Sequence, residues 1–241
     1  MKCITYTNNA HRDLCENMLK SFRAVNKSTP FLVYCMDEES YNWFDGKGYD
    51  ARNATYVECG SDHHDWGNQQ FRQLIQNKFP IIKKELDDQV LFVDSDIYFF
   101  KDPIPYLEYL LTTTDVVSQS DLPGTELCSG FFAINPSEQV HNVIDHINDY
   151  DAERDGEFYD DQLRWIHFLK ETRTPVNVLD RHRFPNGHIA FIENSSHKDK
   201  NTQIKIQKVL DKISNYNKKK LDKDSLYEIF KIQMLVSEIS K

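Results

Sequence analysis

The sequence predicts an α/β protein: an open, mixed but mostly parallel sheet flanked by helices on both faces, followed by a helical C-terminal tail. Three observations predict it. Short apolar runs such as Phe31-Leu32-Val33-Tyr34-Cys35 and Val90-Leu91-Phe92-Val93 read as strands buried on both faces. Segments with helical apolar spacing alternate with these runs, which is the rhythm of a parallel sheet with helical crossovers. From Lys198 onward the composition turns lysine-dense, with Ile206, Val209, Leu210 and Ile213 at helical spacing.

The elements follow in order. Cys3 to Thr7 reads as a first strand, and Asn8-Asn9-Ala10-His11 as a turn that caps a helix carrying Leu14, Met18, Leu19 and Phe22. Pro30 opens the second strand. A short helix at Ser40 to Phe44 and a Gly46-Lys47-Gly48 loop lead to a third strand near Thr55 to Cys59. Gln69 to Leu86 carries helical apolar spacing interrupted by Pro80, which predicts a kinked or two-part helix. The fourth strand is Val90 to Val93. A short helix (Tyr106 to Leu111), a strand (Asp115 to Gln119), a loop (Ser120 to Glu126) and an apolar strand (Cys128 to Asn135) come next. Gly130, at the start of that strand, permits close approach of a ligand or backbone. Helices at Ser137 to Asn148 and Phe158 to Leu169, a late strand at Val176 to Asp180 and a turn at Phe184-Pro185-Asn186-Gly187 complete the domain.

Charge and composition narrow the function. With 39% hydrophobic residues the 241-residue chain can bury a sizeable core, as one large or two small domains. A formal net charge of -9 argues against nucleic acid as a partner, because no broad basic surface is available to meet phosphates. Cys3, Cys15, Cys35, Cys59 and Cys128 are odd in number and widely spaced, which favours reduced core thiols. The N-terminus lacks the apolar core of a signal peptide and no apolar segment is long enough to span a membrane, so the expected location is cytoplasmic. Peripheral association through the tail is the one membrane contact left open. The sequons at Asn53 and Asn194 are then chance matches.

Where the fourth strand ends, Asp94-Ser95-Asp96 follows four apolar residues. Acids at i and i+2 of a strand share a face, about 7 Å apart. They repel unless something positive lies between them, and a divalent metal or metal-bound diphosphate is the usual solution. In open α/β sheets ligands bind beyond the carboxyl ends of the strands, where these acids would sit.

Five segments in order, Leu91 to Pro103 (LFVDSDIYFFKDP), Asp115 to Asp121 (DVVSQSD), Cys128 to Pro136 (CSGFFAINP), Asp160-Asp161-Gln162 and Leu179 to Gly187 (LDRHRFPNG), carry a resemblance. Together they resemble the retaining nucleotide-diphospho-sugar transferases of the glycosyltransferase A fold. The likeness is to the family with plant xylosyl- and arabinosyltransferases and, more distantly, to the glycogenin and bacterial galactosyltransferase group. The resemblance implies a single Rossmann-like catalytic domain over residues 1–199; residues 200–241, which it does not cover, read from their helical spacing as an extension packed on that domain. It also implies a Mn²⁺ or Mg²⁺ cofactor, a nucleoside diphosphate sugar donor such as a UDP-sugar, and a glycan or other hydroxyl acceptor.

The resemblance further implies roles for single residues. Asp96 binds the metal, and Asp94 contacts the metal or the ribose and sugar hydroxyls, with Ser95 between them. His197 is the first choice for a third ligand, with Glu193 and His188 behind it, although the region departs from the usual His-x-x-Gly-x-x-Lys pattern. Lys198 contacts the diphosphate. Thr5, Tyr6 and Thr7 face the base, Tyr6 either stacking on a uracil or belonging to the core. Lys78 lies near the donor, or is an exposed helix lysine. Gln119, Ser120, Asp121 and Gly130 line the sugar pocket. Asp161 and Gln162 border the anomeric carbon, by front-face attack or through a covalent intermediate at Asp161.

Two other readings compete. A phosphatase with an aspartyl nucleophile also ends a strand in Asp-x-Asp, but there the motif usually ends the first strand, with Thr or Val where Tyr98 stands here. A nucleotide-sugar-binding protein without transfer activity is the second.

Overall fold

The computed structural model describes residues 1–53, 69–97, 99, 101–122, 126–150, 160–180 and 183–184. Two compact units divide the chain, residues 1–118 with 127–178 and residues 119–126 with 179–241. The strands are β1 (Lys2–Thr7), β2 (Phe31–Cys35), β3 (Asp50–Asn53), β4 (Val90–Val93), β5 (Val116–Leu122), β6 (Glu126–Ile134) and β7 (Val176–Val178). The helices are α1 (Arg12–Val25), α2 (Glu38–Asp45), α3 (Gln69–Gln76), α4 (Lys78–Glu85), α5 (Ile104–Leu111), α6 (Glu138–Asp149) and α7 (Asp161–Glu171).

One seven-stranded sheet runs in the order β3-β2-β1-β4-β6-β5-β7. The pairs β1–β2, β1–β4, β2–β3 and β5–β7 are parallel, while β4–β6 is antiparallel. The expected α/β class and mostly parallel sheet are therefore found. β2 and β4 are apolar throughout or nearly so, and β1 is buried at four of its six positions, because helices cover both sides of them. On one side Ile4, Leu32, Phe92 and Phe132 pack with residues of α4, α6 and α7 in a single cluster. Trp165 of α7 is fully buried and stacks on Phe132, centroids 4.5 Å apart. That contact fixes α7 against β6, and truncating such a side chain costs about 3–5 kcal/mol. On the other side Phe22 of α1 meets Phe31 and Phe99 edge-on at 4.9 and 5.0 Å.

Several boundaries differ from the sequence reading. The third strand forms at Asp50–Asn53, earlier than Thr55 to Cys59, which lies outside the described residues. Its polar residues give no apolar signal, and parallel pairing with β2 creates the strand. The two-part helix is present, but it breaks at Asn77, whose side-chain amide turns back to the carbonyls of Gln73 and Leu74. Pro80 instead sits in the first turn of α4, where a missing N–H costs nothing. β5 continues through the segment read as a loop, to Leu122. β6 begins at Glu126, so Gly130 lies in its interior rather than at its start. The C-terminal tail lies outside the described residues.

Candidate active site

β4 delivers the two acids, but not on one strand face. The chain leaves the sheet after Val93, and residues 94–97 form a turn in which the Ile97 amide donates to the Asp94 carbonyl at 3.4 Å. Asp, Ser and Asp are turn formers, and here that preference overrides continuation of the strand. Asp94 stays tied to the neighbouring strand by its own amide, which donates to the Gly130 carbonyl at 2.7 Å. Further on, the Phe99 amide donates to Ser21 Oγ at 3.0 Å, and Asp102 accepts from Asn26 at 2.9 Å. The acidic loop is thus anchored at both ends.

Gly130 is required by contact with Asp94. A Cβ at this position would meet Asp94 Oδ2 at 2.5 Å, inside any normal contact distance. The antiparallel β4–β6 pairing, with Val93 opposite Phe131, brings this bare backbone against the carboxylate.

Lys78, the first residue of α4, joins Asp94 to Asp161. It is buried, not an exposed helix lysine. Its ammonium makes a direct ion pair with Asp161 Oδ2 and donates to the Ser129 carbonyl at 3.1 Å and to Ser129 Oγ at 3.3 Å. Asp94 Oδ1 lies 3.5 Å away. Burial works against the lysine's charge, yet Asp161 and Asp94 raise its pKa above the ordinary value. Phe92 places its ring face 4.9 Å from the ammonium.

Asp161 opens α7, and Asp160 before it is the cap, accepting from the Gln162 amide at 2.7 Å. Asp161 is therefore not itself the capping side chain. Ser129 Oγ donates to Asp161 Oδ2 at 2.9 Å. Burial pushes this carboxyl up, but Lys78 and Ser129 hold it below the usual carboxylate range. Gln162 is oriented by the Ser129 amide, which donates to its Oε1 at 3.2 Å. Asp94 behaves oppositely. Desolvation, aided by Asp96 and Asp161 and opposed by Lys78, pushes it up to about 7. Since 38% of its side chain still meets water, part of that effect is screened.

Asp94, Lys78, Gly130, Asp161 and Gln162 are brought together at one edge. Ser129 completes the cluster and was not singled out in the sequence, where its one signal is a small polar residue beside Gly130 in an apolar strand. Thr5 and Thr7 are buried in the sheet, and the half-buried Tyr6 ring packs 5.9 Å from Phe92. Ser95 is half-buried in the turn and Asp96 is exposed. In the second unit, the buried Gln119 donates to the Phe184 carbonyl at 3.1 Å, and Ser120 is buried beside it in sequence. The side chain of Asp121, together with His188, Glu193, His197 and Lys198, lies outside the described residues. Among the described residues no three His, Cys, Asp or Glu side chains form a metal-binding group.

The fold is the glycosyltransferase A fold. It is shared with the glycosyltransferase GlyE of Streptococcus pneumoniae TIGR4, at a TM-score of 0.57 and 17% identity over 82% of this chain and 50% of that one. An active-site mutant of LgtC matches at a TM-score of 0.50 and 14% identity, over 83% of this chain and 81% of that one. The chain belongs to the nucleotide-diphospho-sugar transferase family, whose model matches residues 26–223. A curated relative, the beta-arabinofuranosyltransferase RAY1 of Arabidopsis thaliana, is 27% identical over 210 residues, covering 74% of this chain and 37% of that protein. The chain thus spans little more than a third of that relative's length. Family and fold agree with what the sequence implied. Among the described residues no helix is long and apolar enough to cross a membrane.

Proposed function

We propose that this chain is a metal-dependent glycosyltransferase. It moves a hexosyl or pentosyl group from a nucleoside diphosphate sugar, first of all a UDP-sugar, to a glycan or other hydroxyl acceptor, with retention of configuration. The observation that carries this reading is the single buried ammonium of Lys78 set between Asp94 and Asp161, in a chain of this family.

Asp94, Asp96 and Asp161 outnumber Lys78 and Arg164, the second of which acts on Asp161, so this site is short of positive charge. A carboxyl raised to about 7 marks the shortfall, and oxygen ligands of this kind suit Mn²⁺ or Mg²⁺. Asp94 and Asp96 would hold the ion, with His197 the first candidate for a third ligand. Bound there, the ion would stabilise negative charge on the departing diphosphate. Asp161 is kept ionised, with Oδ2 engaged by Lys78 and Ser129. That leaves Oδ1 to accept from a sugar hydroxyl or to face positive charge at the anomeric carbon. Gln162, oriented by Ser129, flanks the same carbon. Lys78 is enclosed by these partners, which favours a role in holding the acids over direct contact with the donor.

The activity named for the Arabidopsis relative makes an arabinofuranosyl donor the first to test. The test measures UDP released from a panel of UDP-sugars with and without Mn²⁺. Release that depends on Mn²⁺ and falls at least ~100-fold in Asp96→Ala is the expected result. Tight binding of metal and donor with no turnover on any acceptor would make the chain a binding protein instead. Phosphate release from sugar phosphates would reinstate the phosphatase.

A further inference from the structure

We propose that Lys78 is a positioning residue whose one charge is divided between Asp161 and Asp94, so that cation affinity at Asp94 and Asp96 depends on Asp161, which is not a ligand. The inference rests on the reading of Asp94 and Asp96 as the divalent cation site. An ammonium has three N–H donors. Here they are met by Asp161 Oδ2, the Ser129 carbonyl and Ser129 Oγ, while Asp94 Oδ1, at 3.5 Å, is the fourth neighbour. While Asp161 is charged, the ammonium is committed on that side and Asp94 keeps its oxygens for another cation.

Removing the charge of Asp161 changes that commitment. The lysine side chain is only 3% exposed, so the ammonium cannot turn out to water, and among the described residues the nearest remaining anion is Asp94. A buried charge seeks a partner at short range. The ammonium then occupies Asp94 as an internal counter-ion, and a divalent ion has to compete with it. Ser129 belongs to the same device, because its hydroxyl accepts from Lys78 while donating to Asp161. Its neighbour Gly130 accepts from the Asp94 amide, so one dipeptide of β6 links both acids.

The test is a calorimetric titration with Mn²⁺ alone, without nucleotide, on the wild-type chain, Asp161→Asn, Lys78→Met and the double variant. Asp161→Asn is expected to weaken Mn²⁺ binding about 10-fold in the wild-type background and less than about 2-fold in the Lys78→Met background. A simple loss of negative field would weaken binding equally in both backgrounds, and that additivity would overturn the proposal. Unchanged affinity in Asp161→Asn would overturn it as well. If Lys78→Met does not fold, Ser129→Ala decides: binding about 3-fold weaker supports the device, and unchanged binding sinks it. Absence of Mn²⁺ binding by the wild-type chain would instead remove the cation-site reading beneath it.

Discussion

The two ends of α4 carry buried charges in opposite states of balance. The helix has eight residues, so about 12 Å separates its ends. At its start Lys78 faces Asp161 and Asp94, with Asp96 close behind in the turn. At its end Glu85 accepts from Lys2 at 2.9 Å and from the Tyr34 hydroxyl, with Arg52 at 3.7 Å. A lysine at the start of a helix and a glutamate at its end both oppose the helix dipole, so tertiary partners dictate each. The Glu85 cluster is closed: its one buried carboxylate meets Lys2, Arg52 and a hydroxyl, and the exposed Asp87 and Asp50 pair with the same two cations from the solvent side. The Lys78 cluster is open: three acids face Lys78, with Arg164 acting on Asp161 alone among them. At Glu85 the buried acid is met by cations on more than one side; at Lys78 the buried cation is shared between acids, as the proposed cation site requires.

The largest test of this contrast is Asp161→Ala. It should lower transfer by about 100-fold or more, measured as kcat on the active UDP-sugar. Retention of most activity would mean that the open cluster is only structural. Gly130→Ala comes next. Its methyl group must push Asp94 aside, so at least ~10-fold less activity is expected, with the melting temperature within ~3 °C because only a flexible carboxylate shifts. A large fall in melting temperature with normal kcat would reverse the assignment. At the other end of the helix, Glu85→Gln should cost about 2 kcal/mol, a drop of about 4–8 °C, and leave kcat unchanged. A loss of activity without loss of stability there would erase the distinction between the two clusters.

The smallest effect is in pH. Desolvation raises Glu85, but Tyr34 and Lys2 outweigh it, so its folded pKa lies below the ordinary carboxylate value. Its contribution is complete above the unfolded pKa of about 4.3 and fades as pH falls through the lower folded value. The melting-temperature gap between wild type and Glu85→Gln should therefore be constant above about pH 5 and narrow below it. A gap that widens in acid would contradict the assigned sign.

These clusters also divide what the sequence discloses from what it hides. β2 and β4 are legible because strands covered on both faces must be apolar at nearly every position. Asp50–Asn53 is hidden because an edge strand with three polar residues out of four exists only through its partner. Ser120-Asp121-Leu122 reads as the start of a loop, yet it continues β5. Asp94, Asp96, Asp161 and Gln162 stand out as acids and amides at element ends. The burial of Lys78 does not, because lysine at helical spacing looks the same whether it meets solvent or a carboxylate. Nor does any periodicity connect residue 78 to residue 161.

That separation governs the order in which the domain becomes competent. Lys78 and Asp161 lie 83 residues apart in the chain. Synthesis proceeds from the N-terminus at about 5–20 residues per second, so for several seconds the lysine and both acids of the turn exist without their counterpart. A nascent chain that has passed the turn after β4 holds Asp94 and Asp96 but not Asp161. Assembly of α7 onto Phe132 through Trp165 is then the step that brings Asp161 to Lys78, and until it is taken the lysine has only the acids of the turn as partners.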